Sequence, residues 1–130
     1  MPIDIVRLGS PRRRGEGVRL GTVRRLPRGV PKTQYASRDY FDVWLPELAP
    51  SAALLSWAQR EPLTPRRWAQ FARRYGAELR APAVQRLIAT LAALSRTASF
   101  SVGCYCEDES RCHRSLLGET LAGAGARVRR

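Results

Sequence analysis

Two periodicities alternate along the chain. Near the N-terminus, Ile3-Asp4-Ile5-Val6-Arg7-Leu8 predicts a strand that Gly9-Ser10-Pro11 stops, and Val18-Arg19-Leu20-Gly21-Thr22-Val23 predicts a second, weakened by its glycine. Between them, Arg12-Arg13-Arg14-Gly15-Glu16-Gly17 is a polar loop. Pro27, Gly29 and Pro31 impose a turn, and the aromatic, proline-broken stretch from Tyr40 to Pro50 predicts a packed connection with Trp44 in the core. The period then becomes helical. Ser51 caps a short helix over Ala52 to Gln59, with Leu54, Leu55 and Ala58 to bury. Thr64 and Pro65 open a second, in which Trp68, Phe71, Ala72, Tyr75 and Leu79 share one face. A third begins near Pro82 and lines up Val84, Leu87, Ile88, Leu91 and Leu94. Phe100, Val102 and Cys104 restore the strand alternation, Glu107 to Ser110 reads as a polar loop, and Leu116, Leu117 and Leu121 announce a last helix starting near Ser110 to Cys112 and ended by Gly123 and Gly125.

Strands at both ends with helices between them predict an α/β fold, a small, mostly parallel sheet covered by helices. The 130 residues suit a single domain, set here at 1–126, with a frayed basic tail over 127–130. The N-terminal residues carry no signal-peptide pattern and no apolar run reaches the roughly 20 residues that span a bilayer, so no membrane is expected and the cytoplasm is the expected location. Oligomeric state is not legible.

Charge sharpens this picture. The formal net charge is +12, and all but one of the 23 basic residues are arginine. Residues 1–38 hold ten basic side chains against two acidic, and residues 66–96 seven against one, so the excess is organised into two regions. Such clustering suits a polyanionic partner, a nucleotide or nucleic acid, although arginine-rich surfaces also arise without one.

Candidate chemistry concentrates near the C-terminus. Cys112-His113-Arg114 is expected in the first turn of a helix after a strand and loop, where unpaired N–H groups, the helix dipole and Arg114 favour an anion. A thiol there is a candidate nucleophile and His113, the only histidine, a candidate acid or base. The acidic run from Glu107 to Glu109 opposes thiolate formation, and an inert buried cysteine or a capping histidine fits the same residues. Cys104, Cys106, Cys112 and His113 are chemically adequate for zinc, but their spacing is poor, and no metal is expected. Three cysteines without a secretory signal read as thiols, metal ligands or reactive groups before a disulfide framework. The second constellation is Arg24-Arg25-Leu26-Pro27-Arg28-Gly29, guanidinium groups beside a tight turn. No Walker loop, dinucleotide fingerprint or zinc-protease helix can be assigned, and no cofactor is expected.

Several segments in order resemble the domain-of-unknown-function 488 family: Arg25-Leu26-Pro27-Arg28-Gly29-Val30 with Pro31-Lys32, then Asp42 to Ser51, the Trp68, Phe71 and Tyr75 helix, and Cys112-His113-Arg114 after the last strand. The likeness covers nearly the whole chain. It implies a compact α/β domain with its cleft near the arginine turn and the Cys-His-Arg segment, and no settled activity. Taken with the residues, the expectation is a domain that binds, and as an enzyme would act on, a phosphate-bearing ligand. Ser10, Arg24, Arg25, Arg28 and Arg114 would bind, Cys112 would be nucleophile and His113 acid or base. The alternatives are a non-enzymatic nucleic-acid-binding module and a zinc-stabilised structural domain.

Overall fold

The computed structural model describes residues 2–106 and 112–129. Its elements are β1 (Ile3–Arg7), β2 (Val18–Gly21), β3 (Val43–Trp44), α1 (Ala52–Gln59), α2 (Pro65–Leu79), α3 (Pro82–Leu94), β4 (Phe100–Cys104), α4 (His113–Gly123) and β5 (Val128–Arg129). The strands form one sheet in the order β3-β2-β4-β1-β5, every pair parallel. This is the expected α/β class. No helix among the described residues is long and apolar enough to cross a membrane.

Helix boundaries follow their capping chemistry. The Ser51 hydroxyl accepts the Leu54 N–H at 3.2 Å and the Thr64 hydroxyl the Arg67 N–H at 3.2 Å, each satisfying one orphan donor of a first turn. The apolar stripe of α2 buries Phe71, Tyr75 and Leu79, with Trp68 stacked on Phe71, and Arg67 and Arg74 lie over the ring of Trp57.

Strand order decides what covers each face. The connections from β1 to β2 and from β2 to β3 run toward the β3 edge, whereas those from β3 to β4 and from β4 to β5 run toward the β5 edge. Right-handed crossovers then place the two sets on opposite faces. Accordingly, Ile3, Ile5, Leu20, Phe100 and Val102 pack with residues of all four helices in the main core. The other face carries Val6, Leu8, Val23 and Phe41 in a smaller cluster, and the segments around residues 10–16 and 35–42 close it. Helices therefore cover one face of the sheet and irregular segments the other.

Those irregular segments are fixed by a buried ion pair. Arg19, wholly buried on β2, donates from Nε and Nη2 to the two carboxylate oxygens of Glu16 at 2.8 and 2.9 Å, and from Nη1 to the carbonyls of Ser10 and Asp39 at 2.9 and 2.7 Å. Ser101 on β4 donates a further bond to Glu16 at 3.0 Å. The Glu16 pKa is held below the usual carboxylate value. Burial alone would raise it, but the hydrogen bonds from Arg19, the Arg13 N–H and Ser101, with the Arg19 charge, outweigh burial.

Three local expectations are corrected. Val43–Trp44 is a short edge strand rather than an irregular connection, and Trp44 is exposed, its indole N–H donating to the Val23 carbonyl at 2.8 Å. Leu94, expected on the buried stripe of α3, lies at the end of that helix and is exposed. The tail is not frayed at Val128–Arg129, which pairs in parallel with β1, because buried Asp4 takes a bidentate ion pair from Arg129 at 2.6 and 3.0 Å. The polar loop read over 107–110 and the terminal Arg130 lie outside the described residues.

Candidate functional site

The central strand β4 ends between the carboxyl ends of β1 and β2, and the connection that leaves it runs on the face opposite to those that leave β1 and β2. Chains parting in this way open a crevice at the carboxyl edge of a parallel sheet. Tyr105, the residue that follows β4, occupies it. On the β1 side, Arg7, Leu8, Gly9, Ser10 and Tyr40 join Tyr105 around a cavity of about 480 Å³. On the arginine-turn side, Arg25, Leu26, Pro27, Arg28 and Tyr40 join Tyr105 around one of about 310 Å³. A third, of about 180 Å³, is lined by Arg24, Arg25, Cys104, Tyr105, Cys106 and His113, among others. The arginine bend and the thiol–imidazole segment, some 80 residues apart, thus share walls of one cleft.

Tyr40 and Tyr105 meet edge to face with ring centroids 6.2 Å apart. The Tyr105 hydroxyl donates to the Arg25 carbonyl at 2.8 Å, tying the arginine turn to the end of β4. Burial, then the neighbouring hydroxyls of Tyr35 and Tyr40, raise its pKa, so the phenol stays protonated and is a donor, not a phenolate. The loop carrying Tyr40 is fixed at Asp39, which takes the left-handed conformation (φ 63°) and whose carbonyl accepts from both the Gly9 N–H and Arg19.

The residues singled out from the sequence divide into two groups. Arg25 and Arg28 are exposed and line the cleft; among the described residues the Arg25 guanidinium makes only a long, 3.5 Å contact to Gln59. Ser10 also lines it, though its hydroxyl donates to the Arg7 carbonyl. Arg24 and Arg114 are committed elsewhere. The Arg24 guanidinium donates to the carbonyls of Pro50 at 3.0 Å and Pro46 at 3.1 Å, closing the chain turn before α1. Arg114 is buried, with Nη1 bonded to the Cys106 carbonyl at 2.8 Å and 3.8 Å from the Cys104 Sγ.

Cys112 and His113 open α4, as the sequence suggests, but both are buried. Cys112 is not among the residues lining the three cavities. The Nε2 of His113 lies 2.6 Å from the Thr22 carbonyl, and a carbonyl can only accept, so Nε2 holds the proton. Nδ1 then presents its lone pair toward the Cys112 Sγ at 3.9 Å. Burial pushes the imidazole pKa down to about 4, the Thr22 bond opposing and the charge of Arg114 reinforcing the shift. At neutral pH the ring is uncharged, one nitrogen fixed on the backbone and the other facing the Cys112 sulfur.

The three cysteines converge. The Sγ atoms of Cys104, Cys106 and Cys112 all lie within 4.8 Å of one another, Cys104 and Cys112 buried and Cys106 exposed. His113 is outside this set, although the sequence grouped it with them. The sulfurs of Cys104 and Cys112 are in contact as a disulfide would bring them, across a Cα–Cα separation of 7.7 Å.

Sequence reasoning missed Tyr40 and Tyr105 as cleft residues. The signal was positional: a residue directly after a parallel strand stands at the carboxyl edge where ligands gather. It also missed Arg19 and Glu16, which hold the cleft loops, because a charged residue in a strand pattern or in a polar loop reads as solvent-facing.

No match is found among curated proteins, nor among solved structures. Residues 3–125 match the DUF488-N3a family, described as the active DUF488-N3 subclade. With all but a few terminal residues of the chain inside that match, the protein belongs to the DUF488-N3a family.

Proposed function

We propose that this domain, working in the cytoplasm, recognises a phosphate-bearing ligand, a nucleotide in first place, in the cleft at the carboxyl ends of β1, β2 and β4. The single observation that carries this reading is that Tyr105 is common to all three cavities, with Arg25 and Arg28 on one side and the Ser10 loop on the other. The two guanidinium groups supply charge-assisted, geometrically specific contacts to phosphate oxygens. The Tyr40–Tyr105 pair supplies aromatic surface for a base, with a hydroxyl at its rim. Arg24 shapes this pocket through the backbone, and Arg114 and Cys112 stand behind it. The reading concerns recognition and assigns no reaction.

A charge-only alternative, a nucleic-acid-binding module, is supported by the net charge of +12. Titration with adenosine monophosphate, inorganic phosphate and short single-stranded DNA separates the two. The cleft reading predicts saturable nucleotide binding that weakens roughly tenfold in Arg25→Ala and again in Arg28→Ala, in line with one charge-assisted bond each. Arg86→Ala, on the exposed side of α3, should leave it unchanged. Equal losses in all three variants, seen only for DNA and collapsing with salt, would favour the charge-only module. No binding of any of the three at low salt would remove both.

A further inference from the structure

We propose that Cys104, Cys106 and Cys112 form a three-thiolate site for a zinc(II) ion at the wall of the cleft. The three sulfurs come from two elements that the fold holds rigidly together: Cys104 ends β4, Cys106 follows two residues later, and Cys112 caps α4. Zinc–sulfur bonds of about 2.3 Å at tetrahedral angles set sulfurs about 3.8 Å apart; the three sulfurs all lie within 4.8 Å of one another, and a zinc ion between them would part those of Cys104 and Cys112, which are in contact, to that spacing. Cys104 and Cys112 are buried with their sulfurs in contact and Cys106 lies beside them, an arrangement that either an S–S bond or a shared metal ion accounts for.

The backbone favours the metal ion. The Cα atoms of Cys104 and Cys112 are 7.7 Å apart, beyond the separation of about 7 Å above which a disulfide needs backbone movement. The β4–α4 frame fixes that distance, since Leu8 and Thr22 on the flanking segments bond the backbone of β4 and His113 is held on Thr22.

Arg114 supplies a second, independent observation. Its guanidinium is buried, its Nε has no hydrogen-bond partner, and no carboxylate pairs with it among the described residues. A buried cation without a counter-anion is costly. Its Nη1 lies 3.8 Å from the Cys104 Sγ, and a three-thiolate zinc centre, with a net charge of −1, is the anion that would balance it. On binding, each thiol forms a Zn–S bond and gives its proton to solvent, with no change of oxidation state. Cys104 and Cys106 line the same cavity as Arg24, Arg25 and His113, so the fourth zinc position would be supplied from the cleft side or by water. This inference stands apart from the nucleotide reading, because the three sulfurs and Arg114 are not the groups assigned to the ligand.

The test uses the full chain, reduced and freed of metal by chelation, then titrated with zinc(II) against a chromophoric chelator, and in parallel with cobalt(II). One zinc per chain and a thiolate-to-cobalt charge-transfer band are expected. Cys106→Ser, altering an exposed side chain, keeps the fold and should weaken zinc binding on the order of a hundredfold. Cys112→Ser should do at least as much. Zinc binding unaffected by Cys106→Ser, absence of the charge-transfer band, or a Cys104–Cys112 disulfide recovered by mass spectrometry from protein kept under reducing conditions would each overturn the proposal. Adenosine monophosphate titrated into the unsubstituted, metal-free protein keeps a failure here distinct from a failure of the cleft reading.

Discussion

Replacing Arg19 with methionine is expected to destabilise the protein by about 3–5 kcal/mol, the cost of leaving a buried carboxylate without its partner. Arg19 is fully buried and makes four hydrogen bonds, two to Glu16 and two to the carbonyls that hold the loops over the second sheet face. Removing it strands Glu16 beside Ser101 and releases Ser10 and Asp39, both adjacent to cleft residues. The double variant Arg19→Met with Glu16→Gln should recover a large part of the loss, since no buried charge then remains. Acid unfolding adds a check on sign. In the native protein the Glu16 pKa is lowered, so its contribution is complete above the unfolded value of 4.5 and is lost as pH falls through the lower, folded one. Without Arg19, burial dominates and raises that pKa, so the variant loses less on acidification. The gap between the two proteins in urea unfolding should therefore narrow below pH 4.5; a gap that is flat with pH would mean that Glu16 is not the group left stranded.

The second large effect is expected at Gly17, with Gly15 as its internal comparison. Both have left-handed backbone conformations, φ 78° and 79°. They differ in surroundings: a Cβ on Gly17 would overlap the Ser99 carbonyl, whereas nothing lies near Gly15. Gly15→Ala should cost about 1–2 kcal/mol for the left-handed conformation alone. Gly17→Ala adds a backbone overlap that no rotamer change relieves, for a total of about 3 kcal/mol or more. Urea midpoints for the two variants provide the comparison. Equal losses would show that the turn into β2 shifts freely, and the register of Val18 against Phe100 would then not be set there.

The regular elements were legible where one periodicity ran long enough. Thr64-Pro65 and the Trp68, Phe71, Tyr75 and Leu79 stripe identify α2, and the alternation from Phe100 to Cys104 identifies β4, because both patterns repeat over several residues. Two-residue strands carry no such pattern. Val43–Trp44 and Val128–Arg129 exist because Leu20 and Ile3 offer partners far away in the chain, which local sequence does not encode. The site was legible in part for the same reason. Cys104 to His113 and the arginine turn stood out by composition, but only the fold turns Arg24 and Arg114 inward, onto carbonyls and a cysteine sulfur, and leaves Arg25 and Arg28 outside. Tyr105 was hidden between two more conspicuous cysteines.

The proposed nucleotide would lie at the carboxyl edge of β1, β2 and β4. The most direct test of that placement is a titration of isotope-labelled protein with adenosine monophosphate at low salt, followed by side-chain and backbone NMR. Binding in the cleft gives saturable shifts at Ser10, Arg25, Arg28, Tyr40 and Tyr105, fading together in Arg28→Ala. Shifts confined to the opposite sheet edge around Val18, Leu91 and Leu94, or scattered over the arginines of α2 and α3 without saturation, would contradict it.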